Sequence, residues 1–169
     1  DTNGNISTAT ATVTVEDNVD PIAIAQNVTV QLDASGNGST TATLVDNGSN
    51  DACGIESLAI DIDAFTCANV GPNTVKLTVT DTNGNTSIAN AIVTVEDNVD
   101  PVAICQDITV QLDASGQVSI LPGDIDNGSN DACGIQSLAL DIDSFDCDDV
   151  GGSTPTAVWI NEFHYDNAS

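Results

Sequence analysis

Val75-Lys76-Leu77-Thr78-Val79-Thr80-Asp81-Thr82-Asn83-Gly84-Asn85-Thr86-Ser87-Ile88-Ala89-Asn90-Ala91-Ile92-Val93-Thr94-Val95 decides the fold. Val75, Leu77 and Val79 alternate with Lys76, Thr78 and Thr80. Ala89, Ala91, Val93 and Val95 alternate with Asn90, Ile92 and Thr94. A period of two puts one set of side chains on one face of a strand. Asn83-Gly84 between the two runs suits positive φ at a tight turn, so the stretch reads as a β-hairpin. Working outward, Val28, Val30 and Leu32 alternate with Thr29 and Gln31, and segments 39–45 and 54–62 supply further short strands. Turn residues punctuate the chain at short intervals and no helical period appears. The expectation is an all-β chain of immunoglobulin-like antiparallel β-sandwiches.

The hairpin belongs to a sequence that recurs at a step of eighty residues. Asp1-Thr2-Asn3-Gly4-Asn5 returns at 81–85, and Val15-Glu16-Asp17-Asn18-Val19-Asp20-Pro21 returns at 95–101. Val30 to Gly36 returns at 110–116, and Asp46 to Ile55 returns at 126–135. A fixed step without insertion is the signature of tandem modules. Pro21 and Pro101 cannot continue a ladder, which puts the boundary at Asn-Val-Asp-Pro. The expected division is 1–17 as the last strand of a preceding repeat and 18–97 as a complete sandwich. Residues 98–152 would be an incomplete second repeat. Residues 153–169 would be a linker and the first strand of a different domain, since Trp159 to Asn167 has a new composition.

Charge bounds the partners. The 169 residues include 26 Asp and Glu against one Lys, a formal net charge of −25. Nucleic acid and anionic membrane surfaces need clustered cations, so both are excluded, and no apolar run is long enough to insert in a membrane. Acidity often accompanies disorder, but 40% of the residues are apolar and they alternate. Aromatics make up only 3%. Each core is therefore small and aliphatic, and such cores usually need disulfides, metals or neighbours.

Five cysteines are present. Cys53 and Cys67 are fourteen apart, and Cys133 and Cys147 repeat that spacing. The simple reading pairs each couple within its own repeat, and a loop of that size removes about 3 kcal/mol of unfolded-state freedom. The alternative is a metal site, which lacks histidine and further thiols. Disulfides imply an oxidising, extracellular setting. Cys105 replaces Ala25 of the first repeat and is left as an unpaired or intermolecular thiol.

The carboxylates gather in recurring groups. Glu16, Asp17 and Asp20, then Glu96, Asp97 and Asp100, lie at the boundaries. Asp46, Asn50 and Asp51, then Asp126, Asn130 and Asp131, lie in a loop. A third group is Asp61 and Asp63, then Asp141 and Asp143. Calcium takes six to eight hard oxygens from carboxylates, amides and carbonyls, so the first two groups are candidate Ca2+ ligands that would stiffen an array. The competing reading is that the acids are solvated and keep a large protein soluble. Paired carboxylates also hydrolyse glycosides, but these sit at repeated positions with little aromatic surface to hold a sugar. No catalytic residue is assigned.

The Val-Glu-Asp-Asn-Val-Asp-Pro and Asp-Ala-Cys-Gly-Ile segments, Phe65-Thr66-Cys67-Ala68-Asn69-Val70-Gly71 and Thr78-Val79-Thr80-Asp81-Thr82-Asn83-Gly84-Asn85 together resemble the hyalin-repeat (HYR-like) modules. More narrowly, they resemble the versions found in giant surface proteins of Bacteroidetes. Over residues 1–150 the resemblance implies an immunoglobulin-like fold, a role in adhesins and export by the type IX secretion route. In similar repeats a cysteine often sits at the positions of Ala9 and Ala89. The tail Trp159 to Asn167 looks like the first strand of a lamin-tail-like domain.

The expected role is non-enzymatic: a structural or adhesive stalk segment of a large secreted or cell-surface bacterial protein, partnered by its neighbouring repeats. One alternative is an accessory module that docks a carbohydrate or a protein. Another is a fibre of copies joined head to tail, residues 6–17 of one molecule completing residues 98–150 of the next by strand addition.

Overall fold

The computed structural model describes residues 2–152 and 156–162. In chain order its elements are β1 (Val28–Gln31), β2 (Asn37–Ser39), a single helical turn α1 (Ala42–Val45), β3 (Ile55–Ile60), β4 (Ala64–Thr66), β5 (Gly71–Asp81) and β6 (Thr86–Glu96). There follow β7 (Gln117–Ser119), a second turn α2 (Pro122–Ile125), β8 (Ile135–Leu140), β9 (Ser144–Asp146) and β10 (Val158–Glu162). The chain is all-β. Short 3-10 turns at Cys67–Asn69 and Cys147–Asp149 follow β4 and β9.

β5 and β6 form the long hairpin that the alternation predicts, paired from Gly71↔Val95 to Thr80↔Thr86. They are the centre of a four-stranded sheet of order β1-β6-β5-β3. Val75, Leu77, Val79, Val93 and Val95 are fully buried on its inner face. Each such side chain contributes roughly 1.5–3 kcal/mol relative to exposure. Phe65 of β4 joins Val30, Leu32, Val75, Val93 and Val95 in one cluster. Val45 of α1 joins Leu77, Val79 and Ala91 in the other. The β2–β4 pair and α1 thus cover one face of the sheet.

The hairpin turn differs from a two-residue loop. Only Gly84 adopts positive φ, at 91°, and Asn83 does not. The turn is organised instead by the buried Asp81, whose Oδ1 accepts from the Asn83 and Asn85 amides, both at 2.8 Å. Its Oδ2 accepts from Asn85 Nδ2 at 2.8 Å. Burial pushes the Asp81 carboxyl up, but these bonds and one from the Gly84 amide outweigh it and hold the pKa below the ordinary value.

Two expectations are corrected. Segment 39–45 is not a strand: β2 ends at Ser39, and Ala42–Val45 makes one helical turn that drives Val45 into the core. Four residues carry too little periodicity to separate the two forms. The sheet is also not purely antiparallel, because β1 runs parallel to β6 (Val28↔Val93 to Gln31↔Glu96).

The elements from β2 to Asn69 return eighty residues later, from β7 to Asp149. One does not. Thr29 to Gly36 and Thr109 to Gly116 are identical octapeptides. The first lies on β6, forms β1 and buries Val30. The second forms no strand, and Val110 is 39% exposed. The sequence is the same, so the neighbouring β6 makes the strand. β10 pairs with β8 (Val158↔Leu140, Ile160↔Leu138). β5 holds the same position against β3 (Leu77↔Ile60, Val79↔Leu58). No counterpart of β6 lies beside β10 among the described residues. Residues 5–21 form no strand and residues 6–16 are exposed. The Phe163 to Asn167 part of the expected new domain lies outside the described residues.

Candidate functional site

The chemistry-bearing residues converge where β6 hands over to the second sequence copy. Glu96 ends β6, and Asp97 is only 6% exposed. Asp97 Oδ1 accepts from the Val99 amide at 3.2 Å, while its buried Oδ2 has no hydrogen-bond partner among the described residues. Asp131 and Cys133 complete the group, the two carboxylates and the Cys133 sulfur lying within 4.8 Å of one another. Asp131 Oδ1 accepts from the Cys133 amide at 2.6 Å and the Gly134 amide at 3.1 Å. Gln31 Nε2 donates to Glu96 Oε2 and Asn98 Nδ2 donates to Gln31 Oε1, both at 2.6 Å, which ties the handover to β1.

Cys133 is bonded to Cys67, with Cα atoms 5.0 Å apart. The bond therefore joins the two sequence copies. This overturns the expected pairings Cys53–Cys67 and Cys133–Cys147: Cys53 and Cys147 are free and exposed. The reason lies in the strands. Cys53 precedes β3 at the hairpin end, where its carbonyl accepts from Thr82 Oγ1 at 3.2 Å. Cys67 packs at the far end, on the cluster holding Val93 and Val95. Between those ends run the eleven residues of β5, a span of roughly 33 Å. The partner at Cys67's end is the second copy, so the separation is 66, eighty less fourteen.

Gly36 makes room for the bond. Its φ is +72°, and a Cβ there would lie 2.5 Å from Cys67 Sγ, 3.3 Å from Ala132 Cβ and 3.6 Å from Cys133 Sγ. A side chain would fail on both backbone and space.

The same parts appear singly elsewhere. Asp17, Asp51 and Cys53 form a second three-residue group within 4.8 Å. Val19 N donates to Asp17 Oδ1 at 3.1 Å and Cys53 N to Asp51 Oδ1 at 2.7 Å, as at the junction. The Asp17 carboxylate beside Cys53 pushes its thiol pKa up, and Asp51 and Asp81 add to this. Cys147 lies at an open recess of about 260 Å³ with Ser115, Gly116, Gln117, Asp146 and Asp148. A Cβ on Gly116 (φ +77°) would meet Cys147 Sγ at 2.7 Å.

Of the proposed calcium ligands, the structure brings together Asp17 with Asp51 and Asp97 with Asp131. Glu16, Asp20 and Asp46, and Glu96, Asp100 and Asp126, are outside those groups. Asp46 is turned into its own loop, accepting from the Gly48 and Ser49 amides at 3.1 Å each. Burial pushes Asp46 up and bonds from Ser49 and Gly48 bring it below the ordinary value. Asp126 does the same with Gly128 and Ser129, the Ser129 side chain lowering it most. Asn50 and Asn130 spend their amide nitrogens on the Gly48 and Gly128 carbonyls. Asp61 Oδ1 accepts from the Lys76 amide at 2.8 Å, and Asp141 Oδ1 from the Ala157 amide at 2.8 Å. Cys105 is exposed and bridges to Asp126 through its backbone.

Sequence reasoning missed the Asp–Cys contact and the bond across copies. The signal was Asp51-Ala52-Cys53, a carboxylate placed to cap the cysteine's own amide. No family model, curated protein or solved structure matches this chain. No helix among the described residues is long and apolar enough to cross a membrane.

Proposed function

We propose that this chain is a non-enzymatic spacer: a run of tandem immunoglobulin-like β-sandwich modules, of the hyalin-repeat kind, that sets reach in an extracellular adhesive or structural protein. The observation that carries the reading is the Cys67–Cys133 bond. A disulfide inside a module would stabilise that module. One between modules restrains their relative orientation, which serves extension. It also suits an oxidising compartment.

The Asp97–Asp131 pair supplies the second restraint. Two carboxylates this close repel, and an unpartnered buried oxygen is costly. Calcium would be held by the carboxylates of Asp97 and Asp131, and its charge would answer both. Lys76, the sole Lys or Arg, is on β5 and cannot neutralise both groups.

Small-angle scattering on the oxidised chain and on Cys67→Ser tests the spacer reading. The oxidised chain is expected to scatter as one extended, rigid particle, and the variant as two bodies with a spread of separations. Identical profiles would remove the junction from the account.

A further inference from the structure

We propose, resting on the calcium reading above, that calcium controls the junction bond: an ion held by Asp97 and Asp131 seats Cys133 against Cys67, and the closed Cys67–Cys133 bond tightens the ion site in return.

Three relationships carry it. First, the same short segment serves the ion and the bond. Asp131 Oδ1 accepts from the Cys133 amide at 2.6 Å and from the Gly134 amide at 3.1 Å, which ties the position of Cys133 to that of the carboxylate. The Cys133 sulfur lies within 4.8 Å of the Asp97 and Asp131 carboxylates. Second, the first copy holds the Cys67 half of the bond by itself. Cys67 opens the 3-10 turn Cys67–Asn69, and the Val70 amide donates back to its carbonyl at 3.3 Å. Asn73 Nδ2 of β5 donates to the Asn69 carbonyl at 2.7 Å, and Cys67 packs on the cluster of Val93 and Val95. Closure therefore waits on the placement of Cys133. Third, that placement is opposed electrostatically. It sets Asp131 beside Asp97, which is 6% exposed and whose Oδ2 has no hydrogen-bond partner among the described residues. Asp97 is held there: its Oδ1 accepts from the Val99 amide, and its neighbours Glu96 and Asn98 are both bonded to Gln31 of β1.

Two like charges in a largely buried site repel. In the reduced chain that repulsion moves Asp131 off and carries Cys133 away from Cys67. A divalent cation turns the contact into an attraction. Ion and bond thus favour one arrangement, and linkage requires each to strengthen the other by the same factor. In closing the bond, the Cys67 and Cys133 thiols give two electrons and two protons to oxidised glutathione, which leaves as two glutathione thiols.

The test is the full chain at equilibrium in a glutathione redox buffer, with saturating calcium or with chelator, the Cys67–Cys133 peptide being quantified by mapping. The equilibrium constant for closure is expected to rise about tenfold in calcium. Calorimetric titration should give a calcium dissociation constant lower by the same factor for the oxidised chain than for Cys67→Ser. Asp97→Asn and Asp131→Asn should each lose the calcium effect, and in chelator each should be more oxidised than the parent, a gain that a folding defect would not produce. Asp17→Asn, in the other three-residue group, should keep the effect. Closure that calcium leaves unchanged or lowers, beside calcium binding that Asp97→Asn abolishes, would overturn this proposal and leave the calcium reading standing. Loss of the effect in Asp17→Asn alone would also overturn it. No calcium binding by the oxidised chain would overturn both.

Discussion

Cys53 and Cys67 stand at opposite ends of β5, one against Thr82 and the other on the Val93–Val95 cluster, although only fourteen positions separate them. An extended strand turns a short sequence interval into a long distance.

Cutting the junction bond should destabilise the chain, while removing the free cysteines should not. The loop closed by a separation of 66 corresponds to about 4 kcal/mol of unfolded-state freedom. Urea unfolding of Cys67→Ser and Cys133→Ser is expected to show a loss up to that size, with Cys53→Ser unchanged. Equal losses in all three variants would contradict the pairing.

Gly36 and Gly48 separate backbone strain from crowding. Both have positive φ, but a Cβ on Gly48 meets nothing within 4 Å. Gly48→Ala should cost about 1 kcal/mol, the penalty of the backbone alone. Gly36→Ala should cost more and should also hinder closure of the disulfide, visible as free thiol at Cys67 and Cys133.

Acid should weaken the fold. Asp46, Asp81 and Asp126 have folded pKa values below the ordinary 3.8. In Asp113 the Ser115 hydroxyl, with the Gln117 and Ser115 amides, does the same. A depressed folded pKa gives stability that is present above the unfolded value and is lost as pH falls through the folded one. Melting temperature is therefore expected to hold above pH 3.8 and to fall below it. Asp81→Asn should melt lower near neutrality and lose part of the acid dependence. A wild-type melting temperature that rises below that point would refute the assignment.

Calcium and Asp97 should be coupled. At calcium one hundredfold above its dissociation constant, a bound ion adds about 2.7 kcal/mol, removable by chelator. Asp97→Asn keeps the oxygen that accepts from Val99 and removes one negative charge beside Asp131. It is expected to melt higher than the parent in chelator and to lose the calcium shift. A calcium shift unchanged in the variant would place the ion elsewhere.

Hydrogen exchange should separate the two identical octapeptides. Amides of Thr29 to Leu32 lie beside β6, and the Leu32 amide donates to the Glu96 carbonyl at 2.9 Å. The Leu32 amide should exchange slowly, and that of Leu112 fast. Equal protection would show that the strand forms without its neighbour.

The hairpin, its buried face and the eighty-residue step were legible because period two is a local property and recurrence needs no structure. Val75, Leu77, Val79, Val93 and Val95 are all in the core where alternation put them. The single turns at Ala42–Val45 and Pro122–Ile125 were not, since four residues show no period. The parallel placement of β1 is a tertiary fact that no local pattern encodes. The cysteine pairing was misread because spacing counts residues, whereas sulfur atoms respond to distance. Of the carboxylates, composition singled out twelve positions counting Asn50 and Asn130, but only Asp17, Asp51, Asp97 and Asp131 converge. Asp46 and Asp126 were lost to their own loops, which compete for the same lone pairs.

The sulfur bridge also decides what carries load. A pull on the two ends of the oxidised chain passes from Cys67 straight to Cys133, and the residues between them, including all of β5 and β6, are shielded from tension. Reduction would hand the force to that segment and, once it unravels, release roughly 220 Å of slack over the separation of 66. A tether built this way would be short and stiff under oxidising conditions and would lengthen where thiols prevail.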